Sequence, residues 1–452
     1  SPPLSPTPPP PPPPPPPLSP PPSPATCIEP DALAAEQGFG TGYTETFETE
    51  HFLLAWHPGN AAVTEEAVAL YADSLEASWQ HQIDALGWLA PDQTDACRIT
   101  VLLAQFDASW GDTGGYTDVQ ADGGVPYMVL NTDWLEYGDD WTVTLAAHEF
   151  NHASQFAYDV FWDEQDWWFW ESTAEWVPDL LFDDANTYTW SLWAYLDAPW
   201  RSLDSMQGTV QYGHFAFNVH LYENVDPDAS RATWAAAGPT DNVRDALEAA
   251  TGEDFEEVVL GYSSRVAALD VEERDVWLEA LGYFELDPWT HVTEFPASGG
   301  IEGRGAPQER GQNFFRFAAE ETVRLEFAGE AEVNGNASEW AVAVAEVGVG
   351  GEITHWSARA DENGQATVDF PRAPATDVYV AVVPLGEIGE RSASYTWTAD
   401  LAPDAPADTG DTGDTGGDEK EAPTACGCAT GGAPTGGLLA ALVGLLAVRR
   451  RR

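Results

Sequence analysis

His148-Glu149-Phe150-Asn151-His152 sets two imidazoles four residues apart, with a carboxylate beside the first. The surrounding stretch, 141–158, reads as a helix. Residues four apart on a helix stand one above the other, so both rings can reach a single metal ion. Glu149 then projects beside them, where it can take a proton from a metal-bound water.

A catalytic zinc site takes three protein ligands and keeps one position open. Eighteen residues separate His152 from Glu171, which lies within Trp170-Glu171-Ser172-Thr173-Ala174-Glu175-Trp176. Glu175, one helical turn on, is placed to receive the second ring nitrogen of a ligating His. The plain alternative for Glu171 and Glu175 is a solvated helix face. It fits poorly, because Trp167, Trp168, Phe169, Trp170 and Trp176 flank them, and carboxylates in apolar surroundings need a partner. Zn2+ held by His148, His152 and Glu171 is the expected cofactor.

These motifs resemble the gluzincin metallopeptidases. The second motif, Trp168-Phe169-Trp170-Glu171-Ser172-Thr173-Ala174, is most similar to the aminopeptidase N and leukotriene-hydrolase branch, and thermolysin-like proteases share the Glu171/Glu175 spacing. The resemblance covers roughly residues 47–283. It implies a zincin-like catalytic domain with His148, His152 and Glu171 as ligands and Glu149 as general base. It departs from the aminopeptidases at 123–131, where no Glu stands beside Met128 to grip a free amine. An endopeptidase acting on peptide or protein substrates is therefore expected ahead of an aminopeptidase. The same stretch reads as a strand whose edge could bind an extended peptide. For the oxyanion donor that such a reaction needs, the resemblance offers Tyr212 first and His214 second, both within Gln211-Tyr212-Gly213-His214-Phe215.

The elements that must position these residues give an α+β reading. Segments 47–56, 97–106 and 127–130 are strands, and 64–86 is a helix with Thr64 as N-cap. The helix bearing His148 follows, then a helical half with elements at 215–222, 242–250, 255–269 and 272–281. Residues 314–401 differ: seven short alternating stretches between Gly, Pro and Asp turns suggest an all-β sandwich. The expected organisation is a Pro-rich spacer at 1–26, a metallopeptidase domain at 27–290, the sandwich at 300–401, an acidic linker at 402–425 and a tail at 426–452.

Acidic residues outnumber basic ones 75 to 18, a formal charge of −57, and Lys420 is the single Lys. Nucleic acid is excluded as a partner, since phosphate contacts need a basic face. Cys27 and Cys97 could pair in an oxidising compartment. No signal peptide is visible, and a targeting segment is expected to lie outside the sequence or to have been removed. The tail joins Cys426-Gly427-Cys428, an apolar run at 438–448 and four terminal Arg. It resembles the C-terminal surface-sorting signals of myxobacterial exported proteins. That implies a transient encounter with membrane and sorting machinery, processing near Cys426, and display on or release from the cell surface. Oligomeric state is left open. Twenty Trp residues support a second reading: a surface glycan- or protein-binding protein with a degenerate, non-catalytic zinc site.

Overall fold

A computed structural model describes residues 25–120, 124–318 and 321–402. Most of the Pro-rich spacer and of the acidic linker, and the tail with Cys426, Cys428 and the terminal Arg, lie outside the described residues.

The first half builds one mixed sheet. Its elements are β1 (Ala25–Thr26), α1 (Pro30–Glu36), β2 (Glu45–Glu48), β3 (Phe52–Trp56), α2 (Glu65–Trp79), β4 (Cys97–Ala104), β5 (Gly115–Val119) and β6 (Pro126–Asn131). The strand order is β2-β3-β4-β6-β5, with β1 paired to the start of β4. β3, β4 and β6 run parallel, while β2 and β5 are antiparallel to their neighbours. Successive side chains on a strand point to opposite faces. Ile99, Val101 and Leu103 therefore meet α2 and the next helix, whereas Leu102 faces α1. Thr64 caps α2, its hydroxyl accepting the Ala67 N–H at 3.2 Å. Cys27 and Cys97 are joined by a disulfide across a separation of 70 residues. A cross-link of that span contributes on the order of 4 kcal/mol by restricting the unfolded chain.

The helical half follows: α3 (Asp139–Tyr158), α4 (Trp167–Leu181), α5 (Thr189–Leu196), α6 (Val210–Gly213), α7 (Phe215–His220), α8 (Ala229–Ala236), α9 (Val243–Thr251), α10 (Phe255–Ala268) and α11 (Arg274–Tyr283). α3 lies between the sheet and α4. Asp139 and Asp140 in its first turn suit the positive end of the helix dipole. Gln82, in a π-turn that continues α2, donates to the Ala147 carbonyl at 3.1 Å and accepts from the Asn151 amide at 3.1 Å. That pins the back of α3 opposite its two histidines.

The last part comprises β7 (Trp289–Val292), β8 (Ala297–Ile301), β9 (Asn313–Phe317), β10 (Val323–Gly329), β11 (Glu332–Val333), β12 (Asn336–Ala337), β13 (Trp340–Gly348), β14 (Ile353–Arg359), β15 (Gln365–Phe370), β16 (Ala375–Pro384) and β17 (Tyr395–Leu401). Two main sheets, β15-β10-β17-β8 and β14-β13-β16-β9-β7, share an apolar core. On β13, Trp340, Val342 and Val344 enter that core. The alternate residues Ala341, Ala343 and Ala345 join the core of the helical half instead. Small side chains there let α10 lie close against the sheet. One core thus runs from α4 through α10 into the β13/β16 face. Among the described residues no helix is long and apolar enough to cross a membrane.

The α+β expectation matches this architecture. Two local readings change. Segment 47–56 is a hairpin of β2 and β3, because Thr49-Glu50-His51 turns the chain, with the Thr49 N–H donating to the Phe52 carbonyl at 2.9 Å. The strand at 127–130 is no free edge: β6 is buried and paired on both sides, and β5 takes the edge beside α3.

Candidate metal centre and its cleft

Helical spacing alone brings His148 and His152 together. Their Nε2 atoms are 3.2 Å apart, and each is 3.6 Å from Oε2 of Glu171 on α4. All three residues are buried. Ligands at about 2.0–2.1 Å in a tetrahedral zinc shell stand about 3.4 Å from one another. The three donor atoms already have that spacing. Glu171 Oε2 is buried without a hydrogen-bond partner, which an ion among the three would supply. Among the described residues this is the one group of His, Cys, Asp and Glu that close together. The donor set suits zinc, and three ligands leave one position open.

The outer contacts fix the rings. His152 Nδ1 lies 2.6 Å from Gln155 Oε1, and the Gln155 amide donates to the Trp170 carbonyl at 3.0 Å. His148 Nδ1 lies 3.3 Å from Glu175 Oε2, while Ser191 donates to the other Glu175 oxygen at 2.6 Å. With protons on both Nδ1 atoms, both Nε2 atoms would be free to hold an ion lying between them and Glu171. Glu149 is buried beside them. The Thr117 hydroxyl sits within 2.9 Å of both its Oε2 and its backbone carbonyl. A Cβ on Gly115 would come within 3.0 Å of Glu149 Oε1, so the glycine leaves room for this carboxylate.

The charges are strongly coupled. Burial works against a charged His148, but Glu171 and Glu175 outweigh it and hold its pKa at about 10. Burial likewise opposes the Glu171 carboxylate, and the two imidazoles override it, to about 2. Burial raises Glu149 above the usual carboxylate range, against the pull of both histidines. The Tyr212 hydroxyl is raised well above its usual value by burial and by the carboxylates of Glu171, Glu175 and Glu149, so it stays protonated.

A cleft of roughly 780 Å3, counting its open mouth, reaches this group. His148, Glu149, Glu175 and Tyr212 line it, together with Trp134, Trp141, Tyr188, Trp190 and Asp179. Around it meet three donors that could hold a metal ion, the buried Glu149 carboxyl and several aromatic faces. Of the residues singled out in the sequence, His148, Glu149, His152, Glu171, Glu175 and Tyr212 come together. His214 does not line the cleft. Its ring packs against Trp168 and Tyr195, and burial lowers its pKa to about 3. Sequence reasoning missed Thr117, Gln155, Asp179 and Ser191. Gln155 lies one turn beyond His152 on the same helix and was open to the spacing argument. Thr117 was not, because β5 is short and carries no strong strand pattern.

Residues 27–397 match the model of a family of unknown function, DUF6055. The chain belongs to this family. No curated protein matches. Among solved structures, one similar chain is a family GH115 4-O-methyl-alpha-glucuronidase with specificity for decorated arabinogalactans. It is 9% identical, with a TM-score of 0.15, over 62% of this chain and 46% of that one. This chain thus spans less than half of that protein, and a likeness so slight carries nothing across.

The expected kinship with gluzincin metallopeptidases is corrected by the family match, which covers nearly all the described residues with a family of unknown function. The activity that rested on that kinship is withdrawn with it: hydrolase, protease, metalloprotease, endopeptidase and aminopeptidase alike. Two supports for it also changed in the structure. The strand offered as a peptide-binding edge is interior, and His214 is walled into the core.

Proposed function

We propose that this protein binds zinc through His148, His152 and Glu171 and uses the cleft above the ion to bind a glycan. The observation that carries the reading is the combination in one cleft: a three-donor metal group beneath, half-buried Trp134, Trp141 and Trp190 around it, and the carboxyl groups of Glu149, Glu175 and Asp179. Sugars offer apolar ring faces to aromatic side chains and hydroxyls to carboxylate acceptors, and pockets of this composition orient ligands through a few convergent polar groups. Bound zinc would add a Lewis-acidic position for a sugar oxygen. Glu175 and Gln155 orient the ligating rings, and Glu149 accepts a hydrogen bond from a hydroxyl beside the ion.

Action outside the cytoplasm belongs to the same reading. The Cys27–Cys97 disulfide suits an oxidising compartment. The test is elemental analysis followed by calorimetric titration with oligosaccharides, with and without a chelator. About one zinc per chain, and glycan binding that disappears when zinc is removed, is the expected result. Metal-free protein after equilibration with zinc, or glycan binding indifferent to chelation, overturns it.

A further inference from the structure

Most of the large aromatic side chains are core: Trp234, Trp277 and Trp340 are fully buried, and Trp168, Trp170 and Trp176 on the helix that carries Glu171 are buried too. A second set is not. From the cleft, Trp134 meets Trp141 at 5.6 Å between ring centroids, and Trp141 meets Trp190 at 6.3 Å. Outside the cleft lining, Trp190 meets Phe284 at 5.1 Å and Tyr283 at 6.1 Å, and Phe284 meets Trp193 at 6.1 Å. The band ends on open surface, with Trp193 41% and Tyr283 54% exposed. It joins the stretch before α3, the start of α3, α5 and the end of α11. No single element explains it, and its two outermost rings leave about half their area open to solvent although they are apolar.

We propose that this band is the continuation of the cleft and binds a polysaccharide chain lacking acidic groups along its length, with Trp193 and Tyr283 as the outlying platform. The proposal rests on the glycan reading of the cleft for where the chain leads. Continuity decides the occupant: a chain with one unit among Trp134, Trp141 and Trp190 meets ring after ring on leaving. Charge decides its class. Segments 132–141, 183–197 and 274–287, which carry the band, hold many carboxylates and one basic residue, Arg274. A polyanion such as a uronate polymer or a nucleic acid would be repelled there. A neutral chain stacks on the rings while the surrounding acids accept its hydroxyls.

Affinity electrophoresis of the zinc-loaded protein in gels containing hydroxyethyl cellulose, xylan or a β-1,3-glucan tests this, with alginate as the acidic control and casein as a polypeptide control. At least one neutral polymer should retard the wild type, and alginate should not. The double variant Trp193→Ala/Tyr283→Ala should bind that polymer at least about tenfold more weakly. Its thermal midpoint should fall only modestly, since both rings are partly exposed, and its binding of the matching disaccharide should be nearly unchanged. A double variant as strongly retarded as the wild type overturns the track and leaves the cleft reading standing. Retardation that needs Trp193 and Tyr283, combined with disaccharide binding indifferent to His148→Ala, upholds the track and overturns the metal-linked cleft. Retardation by no neutral polymer, or by casein or alginate in its place, overturns the track.

Discussion

Two buried glutamates, one in each half of the molecule, are equally hidden and differently provided for. Glu171 on α4 and Glu346 on β13 are each 5% exposed. Glu346 accepts the Trp356 indole N–H at 2.9 Å and the Arg372 backbone N–H at 2.9 and 3.0 Å. Fixed donors satisfy it within the fold. Glu171 has an oxygen with no hydrogen-bond partner, aimed at two imidazoles beyond hydrogen-bonding distance. A carboxylate that keeps its charge in the interior needs compensation. Where the chain supplies none of the right length, a cation is the natural partner. The contrast separates a buried acid whose donors the fold supplies from one that a bound cation would complete, and burial alone does not.

Substitution tests the contrast most directly. Glu171→Ala, His148→Ala and His152→Ala should each bring zinc content from about one per chain to near zero, read by elemental analysis. Glu346→Ala should leave zinc content unchanged and lower stability by about 1–3 kcal/mol, because the Trp356 and Arg372 donors lose their acceptor. Loss of zinc in Glu346→Ala, or full zinc in Glu171→Ala, would break the comparison.

Zinc should also stabilise the folded state by mass action, by about 4 kcal/mol at a thousandfold excess over Kd. Chelation should lower the thermal midpoint of the wild type and of Glu346→Ala but not of Glu171→Ala. A chelator-indifferent wild type would contradict the site.

The contacts behind the ligands sharpen it further. Gln155→Ala and Glu175→Gln should weaken zinc by about 10- to 100-fold without abolishing it, since each removes or alters the group orienting one ring. Competition with a chromophoric chelator measures this. Loss as complete as for His148→Ala would promote the residue to a ligand.

The smallest effect concerns Asp179 in the cleft. Burial first, then the nearby Glu273, Asp183 and Glu175, raises its pKa to about 8. The folded state therefore holds a proton between about pH 4 and 8 that the unfolded chain releases. Stability contributed by this group is present at low pH and lost as pH rises towards 8. Asp179→Asn should flatten that part of the stability profile, measured by urea unfolding at pH 5, 6.5 and 8. An unchanged slope would show that Asp179 is ionised in the folded protein.

The metal group was legible because helical periodicity is local. His148 and His152 need only one helix, and the aromatic flanks of Glu171 already marked it as an interior carboxylate. Thr64 as N-cap, the helix at 141–158 and the strands of the last part follow from the same short-range rules. Kinship was not legible, because the resemblance stood on two short motifs, whereas the family match spans 27–397. The edge strand was missed because β5, Gly115-Tyr116-Thr117-Asp118-Val119, has too little apolar pattern, and pairing with β6 makes it a strand.

By itself the sequence determined a strongly acidic α+β chain with two histidines and two glutamates at ligand spacing. Only the tertiary structure decided that Glu171 meets both rings, that His214 turns into the core, and that Trp134, Trp141, Trp190 and Phe284 form one band. Contacts within a helix are set by a repeat of a few residues. Contacts between α3, α4, α5 and α11 depend on how their apolar faces pack, which no local pattern encodes.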